Sequence, residues 1–408
     1  MRVKHIVRKL FPNFLLGWYH FCWALVGAVV FGFAGMGKKM KIIGVTGTSG
    51  KSTTTDFITR ILEEVPSTGS GQAGNKVASV SSIRFKVGEK EWANKYKMTM
   101  PGRFVIQQFL AQAKKAKCSF VVLEVTSEGI RQFRHKFINF DCAVFTNLSP
   151  EHIESHGGFE NYRNEKLKLF RATKNIHVIN ADDENAKYFL DIPAKNKITF
   201  SIEDYKKDFN LNLVGEFNIM NALAAISVAK AYGVNFEICK KALEKAKGIS
   251  GRMEVVSENP KVIVDYAHTP EQLEAVYKSL DYGFRQKDGG GLICVLGSCG
   301  GGRDKWKRPI LGKIAEKYCK SVIITNEDPY DENPLSIMNE IENGFSQTRN
   351  SNSEKILDRE EAIKKAIALT KQGDVVIITG KGSEPWMCLK NGKKIPWDDR
   401  KIVKKYLK

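Results

Sequence analysis

The stretch Ile42–Phe57, IIGVTGTSGKSTTTDF, decides the fold. Ile42, Ile43 and Val45 read as a short buried strand, and Ser52–Arg60 as the start of a hydroxyl-rich helix, so Thr46–Lys51 is a strand-to-helix loop. Such a loop cradles phosphate. Backbone N–H groups of Gly47, Thr48, Ser49 and Gly50 close on the anion, and the helix N-terminus at Ser52 and Thr53 adds its partial positive charge. Lys51 reaches the outer phosphates, and the Ser52 hydroxyl can sit on Mg²⁺. The strict GxxxxGK[ST] pattern would need glycine at Val45, but strand, glycines, lysine and serine fall in the order the mechanism requires.

Outward from this loop, apolar runs alternate with amphipathic stretches. Ser119–Ser127 and Cys142–Ser149 read as buried strands, Arg103–Ala116 and Asn218–Tyr232 as helices. A second series begins near Gly251, with strands at Lys261–Ala267, Gly291–Gly297, Ser321–Glu327 and Asp374–Gly380. Helices at Pro270–Leu280, Arg308–Tyr318 and Arg359–Leu369 separate them. This predicts an α/β chain: a P-loop unit over 41–248 with a mostly parallel sheet, then a Rossmann-like unit over 249–408. Loops are expected at Ser67–Gly74 and Lys287–Gly291.

The formal charge of +19 points to anionic partners, namely nucleotides, nucleic acid or an acidic membrane surface, or simply to a lysine-rich composition. No basic stretch interleaved with aromatics offers a single-strand platform, so nucleic acid is not expected. The eight cysteines form no CxxC pair and show no disulfide or metal spacing, which fits a reducing cytoplasm.

Residues 1–40 are different. Arg2, Lys4, Arg8 and Lys9 precede Phe14–Gly35, a run without Asp, Glu, Lys or Arg and long enough to span a bilayer. Basic residues flank both ends, so the run reads as a span, an interfacial helix or a helix buried against the rest of the protein. An interfacial placement would put the protein on the inner face of the cytoplasmic membrane.

A series of short blocks, taken together, carries a resemblance. GVTGTSGKSTTT, LEVTS, TNLSPEHIESHGGFENYRNEKLKLF, GEFNIMNALAA, GRMEVV, VDYAHTPEQLE, VLGSCGGGRDKWKRPILGKIAE, ITNEDPYDENP and ITGKGSE occur in that order from Lys41 onward. The chain resembles the Mur ligase family, and within it the UDP-N-acetylmuramoyl-tripeptide synthetase branch. The resemblance implies an ATP-dependent ligase that joins an amino acid to a muramoyl-peptide carboxylate through an acyl phosphate, with ATP and Mg²⁺. It assigns Lys51 to the phosphates and Ser52, Glu124, His152 and a carbamylated Lys166 to the metal. A carbamate turns that lysine into an anionic oxygen ligand. Asn218 and Asn221 fall near the adenine, and Arg252, Asp265 and His268 toward ATP, Asp265 through the ribose hydroxyls. Ser127, Gln132 and Arg134 belong to the acceptor. Arg303 clamps the amino acid's carboxylate, a task suited to a bidentate fork. Glu327, Asp328, Gly380 and Glu384 hold its far end.

Two departures matter. Members of the family carry roughly a hundred residues before the P-loop that grip the UDP-sugar, an ordinary small-domain size, and here residues 1–40 stand in that place. The acceptor is therefore either UDP-linked and held by the P-loop unit alone, or lipid-linked. At Glu327–Tyr330, EDPY, Tyr330 stands where diaminopimelate-adding branches have arginine; with Glu327, Asp328 and Glu384 nearby, a cationic side chain is favoured. Folylpolyglutamate and poly-amino-acid synthetases share the architecture and remain the alternative; a nucleic-acid-binding ATPase is the third reading.

Overall fold

The computed structural model describes residues 13–37, 39–66, 74–96, 98–281, 290–346 and 353–407. Most of the predicted loops at Ser67–Gly74 and Lys287–Gly291 lies outside the described residues, as do Arg2, Lys4, Arg8, Lys9 and Lys38. The chain divides into two compact units. The first takes in the chain to Pro150, His156–Asn212 and Phe217–Lys247; the second takes in Glu151–Ser155, Leu213–Glu216 and Gly248–Lys408.

In the first unit, eight strands form one sheet: β1 (Lys41–Thr46), β2 (Val77–Val80), β3 (Arg84–Val87), β4 (Lys90–Ala93), β5 (Phe120–Glu124), β6 (Phe140–Phe145), β7 (Ile176–Asn180) and β8 (Asn196–Phe200). Their order is β4-β3-β2-β5-β1-β6-β7-β8, with antiparallel pairing at the β4-β3-β2 edge and parallel pairing elsewhere. β1 is central and buried along nearly its whole length, as a parallel strand covered on both faces must be. β5 and β6 lie on either side of it, so the chain order reverses there. The loops at the carboxyl ends of these strands border the crevice where α/β sheets take ligands.

The second unit has a six-stranded sheet: β9 (Glu254–Glu258), β10 (Lys261–Val264), β11 (Leu292–Leu296), β12 (Cys319–Thr325), β13 (Ser353–Ile356) and β14 (Val375–Ile378), ordered β13-β12-β11-β14-β10-β9. Only the β9 edge is antiparallel. Cys294 and Cys319, on neighbouring parallel strands, are joined as a disulfide with Cα atoms 6.2 Å apart. The cysteine spacing, which showed no disulfide framework, gave no sign of this pair. The two are brought together by strand pairing across 25 residues of sequence, which spacing alone does not reveal.

The apolar N-terminal run is not one long helix. Helix α1 (Asn13–Val30) ends where Gly32 takes a left-handed conformation (φ 61°). There Phe33 N–H donates to Ala28 O at 2.7 Å and Gly32 N–H to Val29 O at 3.0 Å, the paired bonds that close a helix on a glycine. A short 3₁₀ turn, Ala34–Met36, follows. Among the described residues no helix is long and apolar enough to cross a membrane. One side of α1 is instead buried on helix α2 (Arg103–Lys115) of the first unit, with Ala24 and Ala28 enclosed.

Candidate active site

At the end of β1 the chain turns through Gly47–Gly50 into a helix starting at Lys51. Side chains from the carboxyl end of the sheet hold this loop. Asn147 Oδ1 accepts from Ser49 N–H at 2.9 Å, Asn147 O accepts from Thr48 N–H at 2.9 Å, and Thr48 Oγ1 donates to Ser149 O at 3.2 Å. Lys51 Nζ folds back to Thr48 O at 2.7 Å. Ser52 Oγ donates to Glu124 Oε2 at 2.9 Å, and the same carboxylate oxygen accepts Ser82 N–H at 2.8 Å. The serine follows the loop and the glutamate ends β5, so parallel pairing of β1 with β5 brings them together. Lys166, 1 % exposed, comes from helix Phe159–Ala172 and donates to Gly47 O at 2.7 Å, with its Nζ 4.5 Å above the Tyr162 ring. Asn221 accepts from Thr54 Oγ1 at 3.3 Å, while Asn218 is buried one turn earlier on the same helix.

The predicted acceptor residues also meet in this unit. Thr126 caps the short helix that begins at Ser127, accepting Gly129 N–H at 3.1 Å. Arg134 donates to Gln132 Oε1 at 2.7 Å, to Met98 Sδ at 3.3 Å and to Met100 O. Burial and then Arg103 push the Arg134 pKa down to about 10, which leaves it cationic at neutral pH.

In the second unit, Glu151 and His152 precede a short helix, Ile153–His156, whose first amides donate to Asp304 at 3.3 and 3.2 Å. Burial would raise the Glu151 carboxyl, but His268, His152 and Lys307 hold it well below the usual carboxylate range. His268 Nε2 lies 3.0 Å from Glu151 Oε1, and His268 Nδ1 lies 2.9 Å from Tyr266 O. Burial pushes His152 down to about 4 against the pull of Glu151, so its imidazole is neutral at pH 7, the form a metal binds. Asp265, at the end of β10, accepts Met253 N–H and Ala267 N–H, each at 2.7 Å, and so shapes the loop that carries Arg252 and His268. The Arg252 guanidinium stacks 4.0 Å above the Tyr266 ring. Arg303 follows β11 and senses Cys299, Tyr266, Tyr330 and Glu151 around it.

The four residues assigned to the amino acid's far end gather at the carboxyl ends of β12 and β14, but their charges are arranged differently from the expectation. Buried Lys381 donates to Asp328 Oδ2 at 2.9 Å and to Glu384 Oε2 at 2.6 Å, so two of the three acids are already paired. Among the described residues Glu327, 2 % exposed, accepts from Cys299 Sγ at 3.1 Å, and its Oε2 has no hydrogen-bond partner. Burial raises its pKa, against Arg359 and the Cys299 contact. Gly380 (φ 101°) leaves this oxygen room: a Cβ there would stand 1.9 Å from Glu327 Oε2. Sequence reasoning gave no role to Lys381, Tyr266 and Cys299, and placed Glu151 in one loop with His152 without assigning it one. Lys381 sits inside the quoted ITGKGSE block, and its position between two predicted acids was the available signal.

Known proteins can now be set beside this geometry. Residues 45–211 match the Mur ligase middle domain, and residues 251–382 match the glutamate ligase domain of Mur ligases. A UDP-N-acetylmuramoyl-L-alanyl-D-glutamate–2,6-diaminopimelate ligase of Syntrophomonas wolfei is 37 % identical over 402 residues, covering 91 % of this chain and 79 % of the relative. The chain belongs to the Mur ligase family. A solved structure of another UDP-N-acetylmuramoyl-L-alanyl-D-glutamate–2,6-diaminopimelate ligase is 28 % identical with a TM-score of 0.58, over 91 % of this chain and 78 % of that one. A folylpolyglutamate synthase of Mycobacterium tuberculosis complexed with ADP has a TM-score of 0.69 at 17 % identity, over 93 % and 95 % of the two chains; that likeness shows the fold alone. As a member of the family the protein is a ligase, and the mixed α/β expectation for both units holds.

Proposed function

We propose that the protein joins the amine of an amino acid to the carboxylate of a muramoyl-peptide, using ATP. The observation that carries the reading is the Ser52–Glu124 pair beside the loop held by Asn147, with Lys51 folding back on that loop and the buried Lys166 donating to its Gly47 O. In the first step the acceptor carboxylate attacks the γ-phosphate and ADP leaves, giving an acyl phosphate. In the second the amine attacks the acyl carbon and phosphate leaves, giving the amide. Lys51 neutralises charge on the transferring group, and the loop amides hold the phosphates still. Gln132 and Arg134, with Ser127 beside them, orient the acceptor. Asn218, Asn221, Arg252, Asp265 and His268 hold the nucleotide, Arg303 the amino acid's carboxylate, and Glu327 its cationic end beside Asp328, Gly380 and Glu384.

The residues fit a divalent cation, Mg²⁺ by the hardness of their oxygens. Ser52 and Glu124 offer a hydroxyl and a carboxylate, and His152 offers a neutral imidazole. Lys166 would contribute once carbamylated; as an ammonium it only donates, here to Gly47 O. When bound, the ion would offset the negative charge of the phosphates. The acceptor is UDP-linked or lipid-linked, and the reaction is placed in the cytoplasm, at the inner face of an anionic membrane. Phosphate release measured with single amino acids and a muramoyl-dipeptide acceptor in each form tests the reading. Release that depends on both co-substrates is expected, and release stimulated by DNA or RNA instead would overturn it.

A further inference from the structure

Helix α1 is apolar on two opposite sides. Its inner stripe of Phe21, Ala24, Gly27, Ala28 and Phe31 rests on the first unit, with the Phe21 ring 5.5 Å from that of Phe137 and the Phe31 ring 6.2 Å from that of Phe104. Its outer stripe, Leu15, Trp18, Cys22, Val26 and Val29, repeats at helical spacing and is open, Trp18 being 65 % and Val29 59 % exposed. A helix apolar all round is ordinarily covered all round, and a contiguous apolar patch marks an interaction surface.

Charge identifies what covers it. Arg2, Lys4, Arg8, Lys9, Lys38, Lys39 and Lys41 flank the helix in sequence, and the first acidic residue of the chain is Asp56. A second copy docked on the same face would bring identical basic flanks together, a repulsive arrangement. An anionic lipid surface matches them, and Trp18, Tyr19 and Trp23 are the residue types that settle at headgroup depth. The inner side of the helix leads to the predicted acceptor residues. His20 Nδ1 meets Arg103, whose Nε donates to Gln132 O at 2.9 Å, and the Gln132 side chain accepts from Arg134.

We infer that the outer face of α1 docks in the plane of an anionic bilayer and that its inner face, through His20 and Arg103, holds Gln132 and Arg134 beside the lipid surface for a lipid-linked acceptor. The acceptor half of this inference rests on the ligase reading; the docking does not. The test is co-sedimentation of the full chain with vesicles of phosphatidylcholine alone or mixed with phosphatidylglycerol. The wild type should sediment with the anionic vesicles and be released by salt. The triple variant Trp18→Ser, Val26→Ser, Val29→Ser should bind at least about tenfold more weakly, given the apolar area removed. Its melting temperature and its activity with a UDP-linked acceptor should be unchanged. Wild type that stays in the supernatant, a triple variant that sediments equally, or a wild-type dimer that the triple variant converts to monomer each overturns the docking. His20→Ala should still sediment but show a raised KM for the acceptor at unchanged KM for ATP; an unchanged acceptor KM removes the link to Arg103. Docking without ligation of either acceptor would sink the ligase reading and leave the membrane surface standing.

Discussion

Glu124 and Glu327 are the same residue, equally buried, each at the carboxyl end of a parallel strand, yet their surroundings differ. One oxygen of Glu124 takes two donors, the Ser52 hydroxyl and the Ser82 amide. Among the described residues Glu327 has one weak thiol donor and an oxygen with none, and burial raises its pKa. A buried carboxylate oxygen with fixed donors has its hydrogen-bonding needs met, whereas an orphan oxygen is unfavourable until a donor arrives. The first corner is therefore organised before any ligand binds, and the second is completed by its ligand.

The largest effect should come from the organised corner. Lys51→Ala should lower ATP turnover roughly a hundred- to a thousand-fold, the scale of removing one preorganised charge-stabilising group. Thermal melting should barely move, because Lys51 is a partly exposed residue at the first position of its helix, outside the apolar core, with its Nζ donating to Thr48 O. Retained phosphate release would dissolve the contrast by showing that the P-loop corner carries no phosphate. Next in size is Lys166→Ala, with an expected loss of about 10- to 100-fold, as for groups that support a metal site. A short carboxylate added to the assay should restore part of the activity by standing in for the carbamate. Here melting should fall as well, since the side chain is buried against Tyr162 and Gly47 O. Full activity in this variant would reduce Lys166 to a structural donor.

How much was legible in the sequence follows the same division. The P-loop itself could be read because a strand, a loop and a helix start lie within sixteen residues, and Glu124, 72 residues beyond Ser52, was legible because it ends an apolar strand. The second corner was named residue by residue but its charge state was not. Pairing of Lys381 with both Asp328 and Glu384 spans 53 residues in one case and depends on loops meeting after two separate strands. For the same reason Cys294 and Cys319 carried no signal. The N-terminal run was read only as a choice among a span, an interfacial helix and a buried helix, because counting apolar residues from Phe14 to Gly35 shows neither that Gly32 closes the helix nor which side meets protein. The alternation of Ala24, Gly27 and Ala28 with bulkier neighbours was the available clue to the packed side.

The smallest expected effect probes the second corner most sharply. Because burial raises the Glu327 pKa in the folded protein, folding disfavours its ionised form. Its contribution to stability is most favourable below the ordinary carboxylate value of 4.5 and declines as pH rises through the raised value. Glu327→Gln keeps the shape and removes the charge, so it should melt above the wild type at pH 8, with the gap closing toward pH 4. The same variant should bind the amino acid more weakly, with KM raised about 5- to 30-fold, the effect of losing a charged hydrogen-bond acceptor worth about 1–2 kcal/mol. In the wild type that KM should rise as pH falls and Glu327 takes up its proton, a dependence the glutamine variant should lack. Stability gained together with binding lost would mark a carboxylate kept unsettled for its ligand. If Glu327→Gln instead melts lower at pH 8, Arg359 and Lys381 already satisfy the charge, and Glu327 is a structural acid of the same kind as Glu124.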